Sequence, residues 1–385
     1  MSEDLPPPSA DDRVVSASFS HIIRAEIAAA GGWMSFARYM ELALYAPGLG
    51  YYSGGARKFG AAGDFVTAPE LTPLFGQALA RQIAQILHGS LPRMIEAGAG
   101  SGRLAADLLP ALDALGCAPE RYGILELSGE LRARQQATLA EHAPAFLNRV
   151  EWLDELPDRF SGCLLGNEVL DAMPTHIALW SSNGISEMGV GIADDQLSWA
   201  ERPAAGALLD AAQALPVKVP YYGEIGLAAR SWVSELSRRL ECGAILLLDY
   251  GLPRHELYHP LQERGTVRCH HRHRVHNDPF WYPGLSDITS HVDFTAVAEA
   301  GFDAGLEVMG YCNQATFLIN CGIGELLHAK VGAEDTASAA YKAQTAVNML
   351  LAPNEMGELF KVIALGKRLP LPLLGFTHGD KVHTL

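Results

Sequence analysis

From residue 91 onward, short apolar runs alternate with stretches whose apolar residues recur every three or four positions. This pattern predicts repeated strand–helix units around a parallel sheet. The predicted strands cover 93–97, 121–127, 150–153, 162–166 and 244–250, with two closing strands at 306–310 and 360–365. The run AILLLDYG is apolar almost throughout, as expected of a strand covered on both faces. Between the fourth and fifth strands, HIALWSSNGISEMGVGIADDQLSWAE alternates apolar and polar positions around Asn183-Gly184, which predicts an inserted β-hairpin. Upstream, Phe19, Ile22, Ile23 and Ile27 share one helical face, Gly31-Gly32 ends that helix, and Ser35 is placed to cap a second helix through Leu44. The expected organisation is a disordered tail over 1–18, a helical and loop cover over 19–90, an α/β domain over 91–368 with insertions at about 175–235 and 314–358, and a tail over 369–385.

The segment RMIEAGAGSGRL places Gly98, Gly100 and Gly102 between the first strand and its helix. A dinucleotide fingerprint is spaced G-x-G-x-x-G, whereas here the third glycine arrives one residue early, and no Gly-Lys-Ser/Thr ending marks a phosphate-binding loop. The second strand ends at Glu126, where a carboxylate can accept hydrogen bonds from both hydroxyls of an unphosphorylated ribose. Strand, E-x-G-x-G-x-G, helix, strand and acidic end together resemble the cofactor half of Rossmann-like, class I S-adenosylmethionine (SAM)-dependent methyltransferases. The resemblance implies that the glycine turn lies under the amino acid part of SAM, with Glu96 near its ammonium. A glycine turn with no ligand and a nicotinamide dinucleotide site are the alternatives.

Composition narrows the partners. With 385 residues, 49% of them hydrophobic, the chain can bury one large core with appendages, or two domains. A net charge of −15 repels a phosphate backbone and argues against extended nucleic-acid binding, while a cationic target is easier to approach. No apolar run is long enough to span a bilayer, and MSEDLPPPSADD is unlike a signal or transit peptide, so a cytoplasmic protein without membrane insertion is expected. Six cysteines show no C-x-x-C pair, and the histidines of CHHRHRVH, including His271 and His273 on one face of a strand, match no zinc spacing, so no metal is expected.

The fourth strand runs into GNEVLDAMPTH, at the edge where open α/β sheets carry their chemistry. If the chain turns helical at Glu168, Asp171 lies at i+3 and two carboxylates converge, a geometry suited to a guanidinium. Taken in order, GYYSGGARKFGAAGDFVTAPELTPLFG, IEAGAGSGRL, GNEVLDAMPTH, LLLDYG and SDITSHVDF resemble the MidA-type family, which includes the mitochondrial complex I assembly-factor methyltransferase. That resemblance implies a Rossmann-like α/β fold with a mostly parallel seven-stranded sheet and a SAM-dependent protein arginine methyltransferase. The implied partner is a complex I subunit of the 49-kDa type. Carried over, Gly98, Gly100 and Gly102 form the cofactor turn, Glu126 contacts the ribose, and Asn167, Glu168 and Asp171 form the catalytic loop. It further implies that residues 63–70, with Asp64, Thr67 and Glu70, fold over the cofactor as a lid or wall; the alternative is that Thr67 and Glu70 cap the next helix. His291 is a second-tier candidate for taking a proton or holding the target peptide. A SAM-binding assembly factor with little catalysis and a methyltransferase for another amine remain alternatives. Helical insertions of this kind can make dimers, so a homodimer is allowed.

Overall fold

The computed structural model describes residues 5–54, 67–262, 265–334, 336–370 and 372–385. The chain divides into two compact units. One comprises Met1–Phe65, Leu170–Ser231 and Leu252–Asp293, and the other Val66–Val169, Trp232–Gly251 and Phe294–Leu385. No helix of the described residues is long and apolar enough to cross a membrane.

The second unit contributes seven strands to its central sheet: β1 (Arg93–Ala97), β2 (Arg121–Leu125), β3 (Val150–Leu153), β4 (Phe160–Asn167), β5 (Leu240–Leu252), β6 (Glu307–Asn313) and β7 (Phe360–Lys367). Their spatial order is β3-β2-β1-β4-β5-β7-β6. The first five strands are parallel to one another, whereas β7 pairs antiparallel with both β5 and β6. This is the Rossmann-like α/β fold expected, and each strand falls within a few residues of its predicted bounds. Helices such as Pro73–His88 and Arg103–Ala114 cover the sheet, burying Phe75, Leu79, Ile83, Leu108 and Leu112 with Leu165, Leu246 and Val362 in one core. The helix Pro73–His88, grouped with the amino-terminal cover in the sequence reading, belongs to this core. The 314–358 segment is helical, with its longest helix at Ala337–Leu351.

The first unit holds two antiparallel sheets. In one, His176–Ser181 and Gly184–Ala193 form the expected hairpin. Its register pairs Ser181 with Gly184, so the turn is Ser182-Asn183, one residue earlier than the Asn183-Gly184 pair suggests. The expected disorder is corrected over 10–18, while 1–4 lie outside the described residues: a helix runs from Ala10 to Ala29, because Ser9 and Asp12 close a reciprocal capping box at 3.1 and 3.2 Å. Phe19, Ile23 and Ile27 of that helix are fully buried. The histidine-rich strand is also corrected. Arg272 and His273 form the turn of a tight hairpin at positive φ, so His271 and His273 do not share a strand face.

Candidate functional site

Parallel pairing brings the carboxyl ends of four strands to one level. Ala97 of β1 is in register with Leu125 of β2 and Gly166 of β4, and Asn167 is in register with Leu248 of β5. The strand order reverses between β1 and β4, which is where open α/β sheets open a crevice for a ligand. Of the sequence candidates on the second unit, Glu96, Gly98, Gly100, Gly102, Glu126, Asn167 and Glu168 lie at this edge, and Glu70 braces it.

Gly98, Gly100 and Gly102 all adopt left-handed backbone, with φ of 65°, 53° and 83°. The Gly98 N–H donates to Leu125 O at 3.2 Å, tying the turn to β2. Ser101 Oγ, inside the turn, donates to the Glu70 carboxylate. Glu70 therefore braces the glycine turn and is not a helix cap. Thr67 precedes the short helix Ala68–Leu71 without making a side-chain cap, and the longer helix after it is capped by Thr72, which the sequence reading passed over. Asp64 lies outside the described residues.

Glu96 is buried in β1, where its carboxylate accepts a 2.7 Å hydrogen bond from the equally buried Tyr122 hydroxyl. Burial pushes its pKa from 4.5 up to about 7, and the tyrosine bond only partly offsets this. A carboxyl whose pKa is raised by folding contributes stability that is complete below 4.5 and is lost as the pH rises through 7. Relative to Glu96→Gln, the wild-type chain is expected to lose about 2 kcal/mol of stability between about pH 5.5 and about pH 8. Chemical denaturation of both proteins across that window measures the difference, and parallel stability curves would refute it. Glu126, just beyond β2, accepts from Ser128 N at 2.9 Å and from Gln135 Nε2 at 3.1 Å, and burial raises its pKa too. Its neighbour Leu127 is 80% exposed.

At the end of β4, Asn167 Nδ2 donates to Glu168 Oε1 at 3.0 Å, while Asn167 Oδ1 is buried with no hydrogen-bond partner among the described residues. The helical turn expected at Glu168 does not form. Glu168 is left-handed at φ 54°, its N–H donates to Leu248 O at 2.8 Å, and the next N–H, of Val169, donates to Asp249 Oδ2 at 3.0 Å. The buried Asp249 thus sets the path of this loop. It escaped the sequence reading, although a carboxylate ending the apolar run of LLLDYG was a visible signal. With no helix, the i+3 convergence of Glu168 with Asp171 loses its basis.

Asp171 and His291 belong to the first unit. Asp171 is buried, its Oδ1 accepts from Ala172 N at 2.9 Å, and its carbonyl accepts from Ser290 N at 3.0 Å, which sets SDITSHVDF beside DAMPTH. Tyr52 OH bonds both oxygens of Asp287 at 3.0 Å and stacks on Tyr45, and Tyr45 OH donates to Ala172 O. The His291 N–H donates to Thr266 Oγ1 at 3.0 Å, and Thr266 is in turn held by the buried Glu224. Neither tyrosine was singled out from the sequence.

Residues 78–312 match the family described as "Putative S-adenosyl-L-methionine-dependent methyltransferase". The mitochondrial protein arginine methyltransferase NDUFAF7 of Mus musculus is 29% identical, the match covering 87% of this chain and 81% of that protein. Its counterpart in Danio rerio is 27% identical over 90% of each. Among solved structures, a "likely methyl transferase" of Burkholderia thailandensis bound to S-adenosyl-homocysteine shares 48% identity. It covers 99% of this chain and 100% of its own, with a TM-score of 0.95.

Proposed function

We propose, from the premise that this chain belongs to the S-adenosyl-L-methionine-dependent methyltransferase family and uses that cofactor, that it methylates an arginine side chain of a protein. The acceptor we favour is a complex I subunit of the 49-kDa type, met in the cytoplasm. The observation that carries the arginine reading is the Asn167–Glu168 pair at the crevice of the sheet, where one amide oxygen is buried without a partner among the described residues next to a carboxylate. Curated relatives named as protein arginine methyltransferases support it.

The site chemistry suits the cofactor. Carboxylates at Glu96 and Glu126 and the exposed Leu127 match a ligand carrying an ammonium, a ribose and a flat base but no phosphate. The glycine turn, at the amino end of the helix Arg103–Ala114, favours a carboxylate. Bound SAM supplies a methyl group on a sulfonium, open to in-line displacement by a nitrogen lone pair. The residues of this chain then have two tasks. Asn167 Oδ1 and the Glu168 carboxylate accept N–H bonds from the guanidinium and orient the attacking nitrogen, a positioning that supplies much of the rate. Because arginine keeps its proton up to a pKa above about 12, the Glu168 charge also polarises the guanidinium as its proton leaves.

The test is peptide mass spectrometry of the organism's 49-kDa-type complex I subunit, purified with and without this gene. We expect a methylated arginine to disappear when the gene is absent. An identical mark in both samples would remove this subunit as the acceptor.

A further inference from the structure

We propose that Gln135 is a positioning residue that locks two halves of the cofactor cradle, the glycine turn and the Glu126 carboxylate, into one geometry. This rests on the cofactor reading given above. Gln135 lies on the helix Gly129–His142 and is completely buried. Its Nε2 stands 3.1 Å from Gly100 O, in the middle of the turn, and 3.1 Å from Glu126 Oε2. Its Oε1 accepts a 2.9 Å bond from Trp152 Nε1 on β3. An indole N–H can only donate, so Trp152 decides which end of the amide faces it. The two hydrogens on Nε2 are then left for two acceptors, one on each half of the cradle. Both N–H groups of the amide then have an acceptor and its oxygen has a donor, and the flipped orientation would offer neither.

Two further features fit this role. Gly102 lets the helix come close, since a Cβ there would lie 2.9 Å from Gln135 Cα and 3.2 Å from its Cβ. The other oxygen of Glu126 is held by Ser128 N at 2.9 Å, so Gln135 supplies the second fixed point of that carboxylate. A side chain needed only for volume could be Leu or Met, like the apolar Leu131 and Leu139 on the same helix. An amide shared between β3, the turn and the end of β2 joins parts that a ligand must find in register.

The experiment is calorimetric titration of S-adenosyl-homocysteine into the wild type, Gln135→Met, Gln135→Glu, Glu126→Ala and the Gln135→Met/Glu126→Ala double variant, with KM for SAM and kcat measured alongside. Gln135→Met is expected to weaken binding about tenfold by leaving buried acceptors unpaired, and to raise KM with little change in kcat. Gln135→Glu has the same size but sets a carboxylate against Glu126 and Gly100 O, and should cost more. In the Glu126→Ala background, Gln135→Met should cost less than about threefold, because one of the two parts it joins is gone. An unchanged affinity in Glu126→Ala would overturn the cofactor reading itself. If Glu126→Ala weakens binding and both Gln135 variants bind like the wild type, the positioning role is overturned while the site stands. Equal losses in both backgrounds would reduce Gln135 to a folding residue. Should the Gln135 variants fail to fold, Trp152→Phe carries the test by releasing the amide orientation, and wild-type affinity there overturns the proposal.

Discussion

Replacing Glu168 by glutamine is expected to lower kcat for methyl transfer by about a hundredfold to ten-thousandfold while S-adenosyl-homocysteine binds as before. The substitution is nearly isosteric, and it keeps an oxygen to accept the 3.0 Å bond from Asn167 Nδ2. The backbone should also stay in place, because its path is set by main-chain bonds to Leu248 O and Asp249 rather than by the Glu168 side chain. In the mechanism proposed above, what disappears is the negative charge set opposite a cationic guanidinium, an interaction that strengthens as the proton leaves. Single-turnover transfer at saturating SAM, combined with calorimetry, separates the two quantities. Unchanged turnover would remove Glu168 from the mechanism, and lost binding would place it in the cofactor pocket instead. Its left-handed backbone, unusual for a residue with a side chain and costing on the order of 1 kcal/mol, fits a position held for function by the surrounding structure.

Gly98→Val is expected to weaken cofactor binding by at least about a hundredfold with the fold retained. Gly98 has φ of 65°, a conformation that a β-branched residue reaches only at a cost of about 1–2 kcal/mol or more. An added Cβ would also lie 3.2 Å from Val169 Cγ2, so the next methyl groups must push on the loop that carries Glu168. Relieving both strains means moving the turn away from the carboxyl ends of β1 and β4. Calorimetry with S-adenosyl-homocysteine, with circular dichroism as the control, reads the result. Normal affinity in a folded variant would show that this turn is not the cradle.

Much of this site was legible from neighbouring residues alone. Glu96, the three glycines, Glu126, Asn167 and Glu168 sit at strand ends that the apolar runs already bound, so finding the strands also located the carboxyl edge. The braces were not legible. Glu70 meets Ser101 across 31 positions, Gln135 meets Gly100 across 35, and Val169 meets Asp249 across 80. Sequence spacing carries no sign of such pairs.

The sequence by itself determined the seven strands, the hairpin, the capped helix after Ser35 and the glycine turn, because apolar period, capping and glycine's conformational freedom act within a few neighbouring residues. Only the tertiary structure decided three other things: that Glu168 turns left-handed instead of starting a helix, that Glu70 braces the glycine turn instead of capping the next helix, and that 170–231 and 252–293 leave the sheet unit to join the amino-terminal residues. Each of these depends on a hydrogen-bond partner or a packing surface brought in from a distant part of the chain, and such partners exist only once the chain has folded.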